Sequence, residues 1–218
     1  MLQFLDLGAG PDARRLAVLL RDGREPPLVW LGGFRSDMRA TKAEALDAYA
    51  ARTGRAFVRF DYSGHGESGG RFEECTISRW LEDALAVIGR FAPRRPLLVG
   101  SSMGGWIALL AARALRRAGG DAAPCGLVLV APAPDFTQTL MWERFPQSVR
   151  DAIETEGVHR QPSAYAPEPY PITRALIEDG RRHLLLNGPI ETGCPVHILQ
   201  GMQDPDVPWE HALALVEH

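Results

Sequence analysis

Short apolar runs alternate with longer amphipathic stretches through most of this chain, and that alternation limits the folds open to it. Strand-like runs lie at Gln3–Leu7, Arg15–Arg21, Leu28–Leu31, Ala56–Asp61, Leu97–Val99, Leu127–Val130 and Val196–Leu199. The later runs are almost wholly apolar, as strands are when both faces of a parallel sheet are covered. Between them, Ile77, Trp80, Leu81, Ala84, Leu85 and Ile88 share one face of a helix that Thr76 can cap. Thr41 followed by Glu44 predicts a capping box for an earlier helix closed by Gly54. A third helix, after Ser102, ends in Arg113, Arg116 and Arg117, then Gly119 and Gly120. Cations in a last turn with glycine beyond it suit the negative end of a helix dipole. Strand–helix alternation of this kind predicts a mostly parallel α/β sheet flanked by helices. The 218 residues suit a single domain spanning 1–218.

From Pro132 to Pro195 the rhythm breaks. Prolines punctuate the stretch, and no convincing strand is legible in it. Helical patterns fit near Gln147–Glu156 and Thr173–Leu186. Met141, Trp142, Phe145, Leu184 and Leu185 call for burial, which a polar linker would not. The expectation is a small helical cap insertion, approximately 133–194, lying over one end of the sheet.

The bulk properties exclude several classes of partner. Apolar residues make up 45% and charged residues 23%, with a net charge of −3. There is no basic surplus for nucleic acid, and the apolar runs are too short for stable membrane insertion. Three widely spaced cysteines predict free thiols in a reducing cytoplasm, and no metal site. The N-terminus lacks the pattern of a secretion signal, which also predicts a cytoplasmic location.

The most informative run is Pro96-Leu97-Leu98-Val99-Gly100-Ser101-Ser102-Met103-Gly104-Gly105-Trp106. It holds a G-x-S-x-G at Gly100, Ser102 and Gly104, entered from a buried strand and left by a helix. So tight a junction strains its central residue and lifts the Ser102 hydroxyl clear of the sheet. Ser101 is one place off the pattern. The Met103 N–H, at the helix start, faces the same space. Leu28-Val29-Trp30-Leu31-Gly32-Gly33-Phe34 ends an early strand in a turn that can point the Phe34 N–H there too. An activated serine also needs a base, and an acid to orient that base. Asp204 and Asp206, after the last strand, compete for the acid. The G-x-x-D-x-x-V-P spacing favours Asp204, and Asp206 can cap the helix beginning near Pro208.

Gly64, Gly66 and Gly69 form a G-x-G-x-x-G within DYSGHGESGG, which could signal dinucleotide binding. The context is wrong for it. Arg71 to Cys75 intervene before the next helix, so no helix N-terminus meets a phosphate. Glu67, Glu73 and Glu74 would repel one.

The LGGF loop, the RFDYSGHGESGG loop, GSSMGGW and GMQDPDVPW occur in an order that resembles the α/β-hydrolase superfamily of serine hydrolases. More narrowly, FDYSGHGES, GSSMGGW and the run from Tyr165 through Trp209 resemble the α/β-hydrolase domain-containing palmitoyl-protein thioesterases that also cleave acyl glucuronides. Mammalian members are mitochondrial. The resemblance implies Ser102 as nucleophile, Asp204 as acid, and Phe34 and Met103 as oxyanion donors, with no cofactor. It implies cleavage of esters or thioesters of small molecules or acylated proteins. Met141, Trp142 and Phe145 suggest an apolar acyl pocket.

The base is not legible. By that resemblance a histidine should follow roughly 25 to 30 residues past the acid, yet His218 is fourteen residues past Asp204. His65 reads as structural, His197 as buried in a strand, and His159 and His183 as surface or packing residues. His211 and His218 fall on a helix expected outside the sheet. The expectation is that the C-terminal strand and helix are missing here and that the catalytic histidine lies beyond His218. The alternative reading is a non-catalytic ligand-binding protein of the same fold.

Overall fold

The structure is a computed structural model of the chain, and it describes residues 1–162 and 169–218. Seven strands form the main sheet: β1 (Leu2–Leu7), β2 (Arg14–Arg21), β3 (Arg24–Leu31), β4 (Arg55–Phe60), β5 (Leu97–Ser101), β6 (Gly126–Val130) and, later in the chain, β9 (Val196–Leu199). Their order is β1-β2-β4-β3-β5-β6-β9. β1, β2 and β4 pair antiparallel, while β4, β3, β5, β6 and β9 run parallel. Helices α1 (Thr41–Thr53), α2 (Ile77–Phe91) and α3 (Met103–Ala118) supply the crossovers.

The period-two rule shows how the sheet is covered. Val29, Leu31, Val58, Phe60 and Leu98 turn to the face packed by α2 and α3, with Trp80 and Trp106 fully buried there. Leu28, Trp30, Phe57 and Val99 turn to the opposite face, where Ala43 and Ala50 of α1 meet them. Helix α3 is buried over most of its surface, from Met103 to Ala112.

Several local expectations are corrected. Thr41 is the first residue of α1 and caps nothing, because Ala40 occupies the N-cap. Gly54 does close α1 in a left-handed conformation, and the Thr76 side chain accepts from the Arg79 N–H. Asp206 caps no helix: α6 (Trp209–Val216) begins after Pro208 without a side-chain cap. The stretch between β6 and β9 is not purely helical. Beside α4 (Gln147–Glu156) and α5 (Arg174–Gly180) it holds an antiparallel pair, β7 (Val158–Gln161) with β8 (Tyr170–Thr173). These four-residue strands were illegible because Pro171 and the polar residues of VHRQ mask their period. β9 is not covered on both faces either. Val196 and Leu199 are exposed, and His197, expected to be buried, is exposed as well.

Candidate active site

Ser102 joins β5 to α3 with φ 53° and ψ −118°, a conformation rarely adopted by residues other than glycine. The strain is held by hydrogen bonds on both sides. The Ser102 N–H donates to the Val130 carbonyl at 3.0 Å, and its carbonyl accepts from Gly105 at 2.9 Å and Ala133 at 3.1 Å. A Cβ on Gly100 would strike the Gly104 carbonyl, and one on Gly104 would strike the Leu31 carbonyl. The G-x-S-x-G spacing therefore lets the first turn of α3 lie against β3 and β5 with no side chain between. Ser102 is partly exposed, whereas Ser101 is buried.

Gly33 brings the next loop against Ser102: a Cβ built on it would lie 3.5 Å from the serine Cβ. Gly33 to Ser36 form a turn closed by the Ser36 N–H on the Gly33 carbonyl at 3.0 Å. Among the described residues, neither the Phe34 nor the Met103 N–H has a hydrogen-bond partner. Met103 opens α3, where the first turn leaves its donors unpaired and the helix dipole favours negative charge.

Asp204 lies past the carboxyl end of β9, two strands from Ser102. One carboxylate oxygen accepts from the Asp206 N–H at 3.0 Å and the Val207 N–H at 2.9 Å. Gln200 braces the same loop through the Val207 carbonyl at 2.9 Å. Phe34, Ser102 and Asp204 thus follow the carboxyl ends of β3, β5 and β9, the edge where open parallel sheets bind ligands.

No histidine among the described residues bonds to Ser102 or Asp204. His65 accepts from the Arg35 N–H at 3.1 Å and donates to the Ser63 carbonyl at 3.1 Å. Burial lowers its pKa to about 4, so the imidazole is neutral. His211 is buried and donates to the Pro134 carbonyl at 2.7 Å. His183 meets the Ser78 hydroxyl at 2.7 Å, and that hydroxyl donates to Asp179 at 2.8 Å. The Ser78–His183–Asp179 cluster resembles a triad but is wired differently. The carboxylate is bonded to the serine rather than to the far ring nitrogen, so it does not orient the imidazole. It pins α5 to the start of α2.

The Phe34 ring is the centre of an aromatic group that sequence reading missed. It packs edge-on against Phe72 at 5.1 Å, Phe136 at 5.5 Å, Tyr170 at 5.8 Å and Trp80 at 5.9 Å. Phe136 and Tyr170 come from the segment between β6 and β9, which therefore does reach the Phe34 loop. Met141, Trp142 and Phe145, the expected pocket residues, pack around Ile153, Ile172 and Ile177 in that segment's own core. Met141 alone also touches the main core. Beside the Phe34 loop lies a cleft of about 480 Å³ bordered by Arg35, His65, Arg71, Phe72 and Arg160. Tyr165, where the resemblance to thioesterases begins, lies outside the described residues.

A sheet of this order, with a strained serine at the β5–α3 junction, is the architecture of the α/β hydrolases. The chain belongs to the Alpha/beta hydrolase family, whose profile matches residues 12–218. It is similar to the mitochondrial palmitoyl-protein thioesterase ABHD10 of Bos taurus, at 38% identity over 95% of this chain and 66% of that protein. The Homo sapiens protein of the same name is 36% identical over the same shares, 95% and 66%. The chain thus spans about two thirds of the length of these relatives. Among solved structures, a putative hydrolase from Agrobacterium vitis S4 matches with a TM-score of 0.96 and 51% identity, over 100% of this chain and 85% of that one. Mouse alpha/beta hydrolase domain-containing protein 10 matches with a TM-score of 0.85 and 33% identity, over 100% and 84%.

Proposed function

We propose that this protein is a serine hydrolase that cleaves carboxylic esters or thioesters of acyl substrates through an acyl-enzyme intermediate. The observation that carries the reading is Ser102 itself, strained at the N-terminus of α3 and met by the Gly33 loop, with the Phe34 and Met103 N–H groups unpartnered among the described residues. In this reading the Ser102 Oγ attacks the acyl carbonyl. The N–H groups of Phe34 and Met103 hold the oxyanion, each contributing roughly 3 to 4 kcal/mol. A histidine oriented by Asp204 takes the serine proton and returns it to the leaving alcohol or thiol. Water then attacks the acyl-enzyme, and the histidine takes its proton and returns it to the departing Ser102 Oγ as the acid is released.

Among the described residues no histidine is bonded to Ser102 or Asp204, so this reading assigns the base to none of them. The likeness to palmitoyl-protein thioesterases supports an acylated protein as substrate, and a small ester serves the same machinery. Trp142 and Phe145 would influence acyl selectivity through the packing of their segment, with Met141 as the link to the main core.

The test is the intact mass of the full-length protein before and after a serine-directed fluorophosphonate, with Ser102→Ala as control. One adduct, abolished by Ser102→Ala, is expected. No adduct would refute the reading and favour a ligand-binding protein without turnover. A series of esters from acetyl to palmitoyl reads the acyl site, and a flat kcat/KM would refute an apolar one.

A further inference from the structure

We infer that Cys125 and Cys194 are a redox-active pair: a small-molecule disulfide oxidises them to a bond that clamps the amino end of β9 to β6.

The two cysteines are far apart in the sequence, yet the sheet makes them neighbours. β6 and β9 run parallel, with Leu127 opposite Val196. Cys125 and Cys194 each stand two positions before a member of that pair. The pairing continues toward them. The Leu127 N–H donates to the Pro195 carbonyl at 2.9 Å, and a Cβ on Gly126 would lie 3.6 Å from the Pro195 oxygen. The next pair in register is Cys125 with Cys194. Adjacent strands lie about 4.8 Å apart, and opposed residues point to one face. Disulfides form across Cα separations of roughly 4.4 to 6.8 Å.

Both backbones are seated. The Cys125 N–H donates to the Pro96 carbonyl at 3.0 Å. The Thr192 hydroxyl donates to the Cys194 carbonyl at 3.0 Å. Glu191 bonds Arg116 of α3 at 2.6 Å, and Gly193 lies so close to that arginine that a Cβ would strike it.

The third cysteine differs. Cys75 is buried, whereas Cys125 and Cys194 are each partly exposed. The Cys75 thiol lies 3.3 Å from the carbonyls of Ser63 and Arg71. Burial pushes its pKa up to about 11, so it stays a thiol and serves as an internal control. Burial also raises the Cys194 thiol, Thr192 lowers it, and the neighbouring Cys125 raises it again, as two thiolates close together must.

The chemistry is two-electron thiol–disulfide exchange. One cysteine, as thiolate, attacks a sulfur of glutathione disulfide. A mixed disulfide forms, and one glutathione leaves as thiolate and takes up a proton. The second cysteine, deprotonated, attacks the protein sulfur of that mixed disulfide and releases the other glutathione. Two protein thiols become one disulfide, and one glutathione disulfide becomes two thiols. Among the described residues β9 pairs with β6 alone, and its far end runs into the Asp204 loop. A bond at its near end closes a long loop, which removes much of the unfolded chain's entropy.

The test equilibrates the full-length protein with excess glutathione disulfide, blocks free thiols with iodoacetamide and maps peptides without reduction. A peptide pair joined through Cys125 and Cys194, and separated by dithiothreitol, is expected. Oxidation should raise Tm by roughly 5 to 15 °C. Cys125→Ala and Cys194→Ala should each abolish both the link and the rise. Separate glutathione adducts, a link through Cys75, or thiols left unreacted would overturn the proposal. An unchanged Tm in linked protein would overturn the clamp. If an alanine variant does not fold, the wild-type peptide map and Tm decide alone. Neither readout involves Ser102, so both are independent of the hydrolase chemistry.

Discussion

Gly104→Ala tests whether the first turn of α3 must lie bare against β3. The new methyl would overlap the Leu31 carbonyl oxygen and lie 2.5 Å from both the Gly32 carbonyl oxygen and the Leu31 carbonyl carbon. All three are backbone atoms, so no rotamer change clears the space. The helix start must recede by roughly 1 Å to restore ordinary non-bonded spacing. Overpacking of this kind costs about 2 to 3 kcal/mol. Alanine's better helix propensity returns about 1 kcal/mol. The net loss of about 1 to 2 kcal/mol lowers Tm by about 2 to 8 °C for a chain of this size. The effect on activity should be larger than the effect on stability. Met103, one residue earlier and an oxyanion donor in the proposed mechanism, recedes with the helix, and misplacing one such donor costs roughly 100-fold in kcat. Scanning calorimetry and the rate of fluorophosphonate labelling of the full-length protein measure the two arms. Unchanged Tm would refute the claimed close approach. Lowered Tm with an unchanged labelling rate would refute the link between the seat of α3 and the chemistry.

Other perturbations follow from the same geometry. Gly66 has φ 46°, and a Cβ on it would strike the Asp61 carboxylate that holds Met38 and Glu67. Gly66→Ala should therefore cost on the order of 2 to 4 kcal/mol in urea unfolding; a change below about 1 kcal/mol would contradict this. The Asp83 side chain is 0% exposed, 2.6 Å from Arg14 Nε, and it accepts from the Ser63 N–H at 2.8 Å. Asp83→Ala strands both partners and should lose about 3 to 5 kcal/mol. The depressed pKa of His65, about 4, makes stability depend on acid. The unfolded chain binds a proton near pH 6.5 that the folded chain refuses, so this contribution is complete above pH 6.5 and is lost as pH falls through about 4. The groups facing His65 are Arg35, which lowers its pKa, and Asp37 and the Ser63 carbonyl, which raise it. His65→Gln should flatten the slope of unfolding free energy between pH 6.5 and 4 by about 3 kcal/mol in total. Identical slopes for wild type and variant would sink the assignment.

Much of the fold was legible because its signals are local. The central strands read as apolar runs, and Gly54 and Thr76 marked helix boundaries through their own backbone and side-chain chemistry. The G-x-S-x-G pattern was legible for the same reason: its glycines answer to backbone contacts within one strand–turn–helix unit. The errors have local causes as well. Thr41 and Asp206 have the chemistry of caps, but the chain enters α1 and α6 at other residues. β7 and β8 are too short, and too interrupted by Pro171 and polar side chains, to show a period.

What the sequence determined by itself was the alternation that demands a parallel sheet, and the serine at a junction too tight for an ordinary residue. Tertiary structure decided which loops meet there. His65 gave no local sign that it would hold the Arg35 N–H, 30 residues earlier in the chain. Phe136 and Tyr170 gave none that they would close on Phe34. Met141, Trp142 and Phe145 were recognisable as apolar but not as members of a separate small core. Hydrophobicity states that a side chain must leave water, and it is non-directional. The partner is chosen by strand order and by the hydrogen bonds that aim each loop, and those exist only once β3, β4 and β5 lie side by side.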